Sequence, residues 1–196
     1  MEKTRVTKPV EERKQEIIDT ARAMFIELGF EKTQMADISK KMNVAAGTIY
    51  HYFKSKTELF YAVIDEMMDE KMQRKRQFLE ESQGSAVDRL RLIFKSFDDE
   101  MHGNTSGNFT EDPAIIQYYL TKMSNSFLPI LVSLIEQGNA DGSWNCEYPR
   151  EMTVFILQGM AGVMSVEQER TDTTNEKNKR VKAYLDFVFR VLGVAK

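Results

Sequence analysis

An all-α protein is what three features of the chain predict: a small N-terminal three-helix domain followed by a larger helical C-terminal one, about nine helices in all. Apolar residues recur at three- and four-residue spacing along nearly the whole length, the period of helices with one buried face. Only four prolines and ten glycines interrupt 196 residues. The third feature is Gly47–Lys56, where Thr48, Tyr50, His51, Tyr52, Lys54 and Lys56 surround Ile49 and Phe53. Ile49 and Phe53 stand one helical turn apart and make a single apolar anchor line. A short helix held by two hydrophobes, with donors over the rest of its surface, suits insertion into a DNA groove.

The elements follow in order. A first helix runs from Pro9, whose fixed φ suits a first turn, to Leu28, and Gly29 is placed to end it. Its stripe is Ile17, Ile18, Ala21, Met24, Phe25 and Leu28. Thr33 reads as the N-cap of a short helix over Gln34–Met42, with Asn43 as a left-handed terminator. After a tight turn at Val44, a third helix covers Ala45–Phe53, and the pair forms a helix-turn-helix. Ser55-Lys56-Thr57-Glu58 is a capping box that opens a long helix to about Ser82, with a charged and therefore exposed second half. Ser85 opens a fifth helix through Met101, and His102–Glu111 is the clearest loop. Two apolar helices, Ala114–Met123 and Phe127–Gln137, are expected to be separated near Ser124-Asn125-Ser126, which would put Pro129 in a first turn. After a connector at Asn139–Tyr148, the last pair covers about Pro149–Glu169 and Asn175–Leu192. The expected domains are 1–55 and 56–196, with the 56–82 helix as connector.

Composition narrows the function. Hydrophobic and charged contents of 42% and 29% are ordinary for a globular protein. One cysteine, Cys146, allows no intrachain disulfide and no cysteine-based zinc site, which suits a reducing compartment. A charged N-terminus shows no signal peptide, and the most apolar window, Phe127–Ile135, falls far short of the roughly 20 residues of a membrane span. A cytoplasmic location without membrane contact is expected. Residues 1–56 carry 11 basic and 8 acidic side chains, a net +3, whereas the remainder nets −6. A basic N-terminal module on an acidic body fits DNA binding at one end.

Residues 11–60 resemble the DNA-binding domain of the TetR/AcrR family of bacterial transcription regulators. The resemblance is carried by Ala21-x-x-x-Phe25-x-x-x-Gly29-Phe30, Thr33, Ile38, Val44, Gly47–Phe53 and Lys54-Ser55-Lys56-Thr57-Glu58-Leu59. It implies a homodimer that reads a palindromic operator in double-stranded DNA, with recognition helices in major grooves about 34–36 Å apart. Carried over by position, Thr33, Gly47, Thr48, Tyr50, His51, Tyr52 and Lys56 would lie on DNA, mostly on phosphates, while Gln34, Ala45 and Ala46 would face bases. Hydroxyls and lysines fix register on phosphates, Gln34 suits adenine N6/N7, and an alanine methyl suits a thymine methyl. Two positions depart from the family. Ala45 stands where a capping residue is usual, a loss of about 1 kcal/mol. Ala46 replaces a longer polar reader, so specificity is expected to lean on Gln34, thymine methyls and DNA shape.

The resemblance also implies an effector cavity in the C-terminal domain, near Phe94, Phe97, Met101, Tyr118, Tyr119, Met123 and Phe127. A mostly apolar pocket there would suit a small lipophilic effector that releases a repressor. Ordinary core packing is the alternative for each of these residues, and Tyr118 and Tyr119 point in different directions on one helix. The last two helices resemble the family's dimerisation pair, which implicates Phe155, Gly159, Met160, Val163, Tyr184 and Val188, with Gly159 and Gly162 allowing close approach. An enzyme is the rival class, but no Gly-x-Ser-x-Gly, phosphate loop or metal motif accompanies the two histidines. No cofactor is expected. A helix-turn-helix activator, or an adaptor that binds protein, is the remaining alternative.

Overall fold

The computed structural model describes residues 9–102, 110, 112–166 and 174–194. Among them are eight helices: α1 (Val10–Leu28), α2 (Met35–Lys41), α3 (Ala46–Tyr52), α4 (Lys56–Glu81), α5 (Ala86–His102), α6 (Pro113–Ala140), α7 (Pro149–Val166) and α8 (Thr174–Leu192). The chain divides into two compact units. The first holds the helices through Met67 and the start of α6 through Tyr119; the second holds the chain from Met68 through α5 and from Leu120 onward.

Local chemistry sets the ends of the elements. Pro9 precedes α1, Glu11 and Glu12 complement its N-terminal dipole, and Gly29 closes it at φ 84° while donating to the Phe25 carbonyl. The long α4 starts from Ser55, whose hydroxyl accepts from the Glu58 amide at 3.0 Å. The return bond goes one residue further back than in a standard capping box: Glu58 accepts from the Lys54 amide at 2.6 Å. Ser85 and Asp88 make the full reciprocal pair before α5, at 3.1 and 3.2 Å.

Three expectations are corrected here. Thr33 is not the cap of α2; Gln34 is, with extended backbone, and its amide donates to Asp37 Oδ2 at 3.3 Å. The two apolar segments around Ser124–Ser126 are one continuous α6 with Pro129 inside it. Buried Met123, Ser124, Phe127, Ile130, Leu131 and Leu134 keep helical spacing across the polar stretch, so one burial face carries the helix through. Pro129 removes the donor that the Asn125 carbonyl would receive, a cost of about 3 kcal/mol in a dry interior. Both residues lie on the exposed side, where water hydrates the freed carbonyl. The charged second half of α4 also keeps a buried edge, because Met72 and Lys75 are 2% and 6% exposed. The Lys75 ammonium donates to Ser96 Oγ at 2.6 Å and lies 5.6 Å from the centre of the Phe127 ring, so its charge is not left bare.

The α6–α7 connector is tied down from within the second unit. Asn139 brackets Cys146, donating to its carbonyl and accepting from its amide, both at 2.8 Å. The Trp144 indole donates to the Ile135 carbonyl at 2.8 Å and covers Gly138. A Cβ at position 138 would sit 2.1 Å from the Trp144 ring. Gly138→Ala therefore displaces the indole or shifts α6. A loss of about 1–3 kcal/mol is expected in urea unfolding, and an unchanged midpoint would contradict the packing described.

Candidate nucleic-acid interface

The interface begins in the aromatic centre of the first unit. Phe25 meets Phe60 edge-on at 4.7 Å between ring centres, and Phe30 tilts against Phe60 at 4.8 Å. Met35 and Ile38 of α2, Ile49 and Phe53 of α3, and Leu59, Val63 and Ile64 of α4 belong to the same buried cluster. Helices α1 to α4 are thus fixed by one core. The α2–α3 turn follows from Asn43, whose φ of 54° makes it the single non-glycine residue with positive φ among the described residues. Val44 donates to the Ser39 carbonyl and Asn43 to that of Lys40, at 3.0 and 3.1 Å, the Schellman pattern that ends α2 in half a turn.

Helix α3 then has two distinct sides. Ile49 is fully buried and Phe53 is 3% exposed, and they hold the helix down. Ala46, Gly47, Tyr50 and His51 face outward, with Ala45 exposed just before them. Thr48 and Tyr52, one turn apart, are half-buried along the margin, and Tyr52 packs on the core while meeting the His51 ring edge-on at 5.2 Å. Ala45 has extended backbone and provides no side-chain cap, as its chemistry requires. The exposed Lys54 Nζ reaches the Tyr50 carbonyl at 3.4 Å and sits at the C-terminal end of α3. Gln34 is exposed at the start of α2. A short helix with one pinned side and one polar, aromatic and methyl-bearing side has the form of a major-groove reader.

Two expected phosphate contacts are occupied otherwise. Thr33 is fully buried, and its hydroxyl donates to the Gly29 carbonyl at 2.8 Å. This side chain locks the α1–α2 turn, and burial takes its hydroxyl out of reach of a phosphate. Lys56 Nζ donates to the Phe30 carbonyl at 2.8 Å and lies 4.3 Å from the centre of the Phe30 ring. The ammonium therefore straps the first turn of α4 to the α1–α2 turn.

The residues expected to line an effector cavity are divided between the two units. Tyr118 and Tyr119 pack against the core of the first unit. Tyr118 donates to Asp65 Oδ1 at 2.8 Å and stacks on Tyr61 at 4.0 Å between centres. Burial first, then the Asp65 hydrogen bond, raises the Tyr118 phenol to about 12, so it remains a neutral donor at physiological pH. In the second unit, Phe94 and Phe127 line an apolar seam with Leu131 and Met160 that is too tight to admit a water molecule. Met123 is buried nearby in sequence on α6. The Phe97, Met101 and Val163 side chains lie outside the described residues. The Asp65–Tyr118–Tyr61 cluster was not foreseeable from sequence, because its members come from α4 and α6 with no shared motif.

The expected dimer face divides in the same way. Phe155 is 70% exposed, and Gly159 and Gly162 follow it at helical spacing with open space around them. Met160 turns inward to the seam, and Val188 is 1% exposed, so both serve the core of the second unit. Tyr184 is half-buried, and among the described side chains of α8 the large exposed hydrophobe is Phe187 at 55%.

These placements generate two expected outcomes. Lys54→Ala lowers the salt dependence of DNA binding by about one unit of slope per protomer. Lys56→Met leaves the slope unchanged and costs about 1–2 kcal/mol of stability. A fluorescence-anisotropy salt titration together with urea unfolding separates the two, and the reverse pattern would sink the assignment. For Gln34→Ala, the ratio of operator to scrambled-DNA affinity falls by about tenfold, as the loss of a bidentate base contact predicts.

Comparison with known proteins agrees with this geometry. The family model described as bacterial regulatory proteins, tetR family, matches residues 17–63. An uncharacterised HTH-type transcriptional regulator of Bacillus subtilis, YhgD, is 30% identical over 151 residues, covering 74% of this chain and 78% of that one. The HTH-type transcriptional repressor KstR2 of Rhodococcus jostii is 23% identical over 157 residues, covering 77% of each. Among solved structures, RolR in complex with resorcinol superposes with a TM-score of 0.69 at 17% identity, over 94% of this chain and 89% of that one. No helix among the described residues is long and apolar enough to cross a membrane. The chain belongs to the tetR family of bacterial regulatory proteins, DNA-binding transcription regulators.

Proposed function

We propose that this protein is a homodimeric repressor that binds a palindromic operator and is released by a small, largely apolar effector. The observation that carries the reading is the exposed side of α3, with Ala46, Gly47, Tyr50 and His51 outward on a helix fixed by buried Ile49 and Phe53. Tyr50, His51 and Lys54 grip the backbone, while Gln34, Ala45 and Ala46 read bases. Thr48 and Tyr52 add hydroxyls from the margin. The relative KstR2 is named a repressor and RolR was solved with resorcinol bound, which supports a repressor that responds to a ligand.

Release follows from population shift: the effector binds the DNA-competent and DNA-incompetent conformations unequally and draws the protein toward the second. Two helices suit the transmission, because α4 and α6 each continue from the first compact unit into the second. Lys56 and Tyr118 fix those helices to the recognition module at one end.

Binding to the protein's own promoter DNA tests the function. Affinity should fall steeply with salt and be lost on scrambled sequence, whereas salt-independent binding would remove the DNA-reading role. Dimerisation has its own test at Phe155. An exposed residue tolerates charge in the monomer, so Phe155→Glu folds, sediments as a monomer and weakens operator binding by about a hundredfold or more, because each half-site then binds alone. A folded Phe155→Glu dimer would place the interface elsewhere.

A further inference from the structure

Within the second unit, α4, α5 and α6 border a groove of about 320 Å³, at the small end of ligand pockets. Its floor is apolar, formed by Leu79, Pro129, Ile130 and Leu134, and two cations, Arg76 and Arg89, stand on its walls. The Arg89 Nε is buried with no hydrogen-bond acceptor. A guanidinium stays ionised at any relevant pH, and a desolvated donor of a charged group without a partner is costly. The carboxylate near Arg89 is already committed: Asp141 accepts from the Ser143 and Ala86 amides at 2.9 and 3.3 Å. Asp141 titrates below the usual carboxylate range, first through its Ser143 bonds and to a smaller extent through the Arg89 charge. Arg76 has no hydrogen bond or ion pair among the described residues, and Glu80, one turn on, leaves it unpaired. The groove wall therefore carries two cations, Arg76 and Arg89, against one acid, Glu80, beside a strip of hydrocarbon.

We propose that this groove binds a medium-chain aliphatic carboxylate, its head on Arg89 and Arg76 and its chain along Leu79, Pro129, Ile130 and Leu134. The head meets the guanidinium groups that Arg76 and Arg89 present to the groove, and the bidentate fit of a carboxylate to guanidinium fixes its direction. The chain covers apolar surface that otherwise faces water. This gives the effector a chemical class, an amphipathic anion, and it rests on the repressor reading only for its consequence at the operator.

Calorimetric titration with decanoate, 1-decanol and decyl phosphate tests the proposal on the full chain. Decanoate binds saturably below its micellar range, and decanol binds at least about tenfold more weakly. Arg89→Gln weakens decanoate by a similar factor and leaves decanol unchanged. Ser133→Glu, at an exposed position on the groove wall, adds a repelling charge without touching the core and produces the same split. Equal affinity for decanoate and decanol, or decanoate binding unchanged in both variants, overturns the proposal; tighter binding of decyl phosphate overturns the carboxylate head. Operator affinity measured with decanoate separates the two readings. Saturating decanoate with unchanged DNA affinity removes the effector role and leaves the groove standing. Intact operator binding with no decanoate binding removes the groove alone.

Discussion

Seven residues of helix cannot hold their own shape in water. Isolated helices become stable only beyond about 12–15 residues, because nucleation fixes several dihedrals for one hydrogen bond. Helix α3 spans Ala46–Tyr52 and lacks a side-chain cap, so its existence depends on Ile49 and Phe53 being buried. Their burial depends in turn on the Phe25, Phe30 and Phe60 rings that form the centre of the same cluster. The outward face of α3 is thus a property of that core: truncating Ile49 would remove about 2–5 kcal/mol from the unit and release the reader with it.

The polar groups around this core are mostly structural, which sharpens the division of labour. Thr33 ties the α1–α2 turn, and Lys56 ties α4 to that turn through the Phe30 carbonyl. Tyr118 bonds Asp65 across α4 and α6. Side chains that would be useful on DNA are instead spent on holding the frame in register. The reading surface is left to a small group of residues, two of them alanines. A reader built this way, as proposed above, discriminates through methyl contacts and DNA shape more than through hydrogen bonds.

In the second unit the packing is tight where an effector cavity was expected and open where it was not. Phe94 and Phe127 close on Leu131 and Met160, while the open groove lies among arginines and the solvent side of α6. The buried Lys75 and the unsatisfied Arg89 donor place positive charge inside an acidic half of the chain.

Much of the recognition module was legible in the chain. The spacing of Ile49 and Phe53, the left-handed role of Asn43, the end of α1 at Gly29 and the Ser55 start of α4 are local effects set by residues within a turn or two of one another. The family resemblance was likewise written in contiguous residues. The remaining assignments rest on partners far apart in sequence. Thr33 looks like a DNA contact until it is seen buried with its hydroxyl on the Gly29 carbonyl, and the tie from Lys56 to the Phe30 carbonyl spans 26 residues of sequence. Pro129 looks like a helix boundary until the burial face on both sides carries α6 through it. Val188 looks like an interface residue until its neighbours bury it. A sequence lists donors, charges and apolar faces, and periodicity says which way they point along one element. Which partner each one meets depends on how the elements pack, and on that the role of a side chain turns.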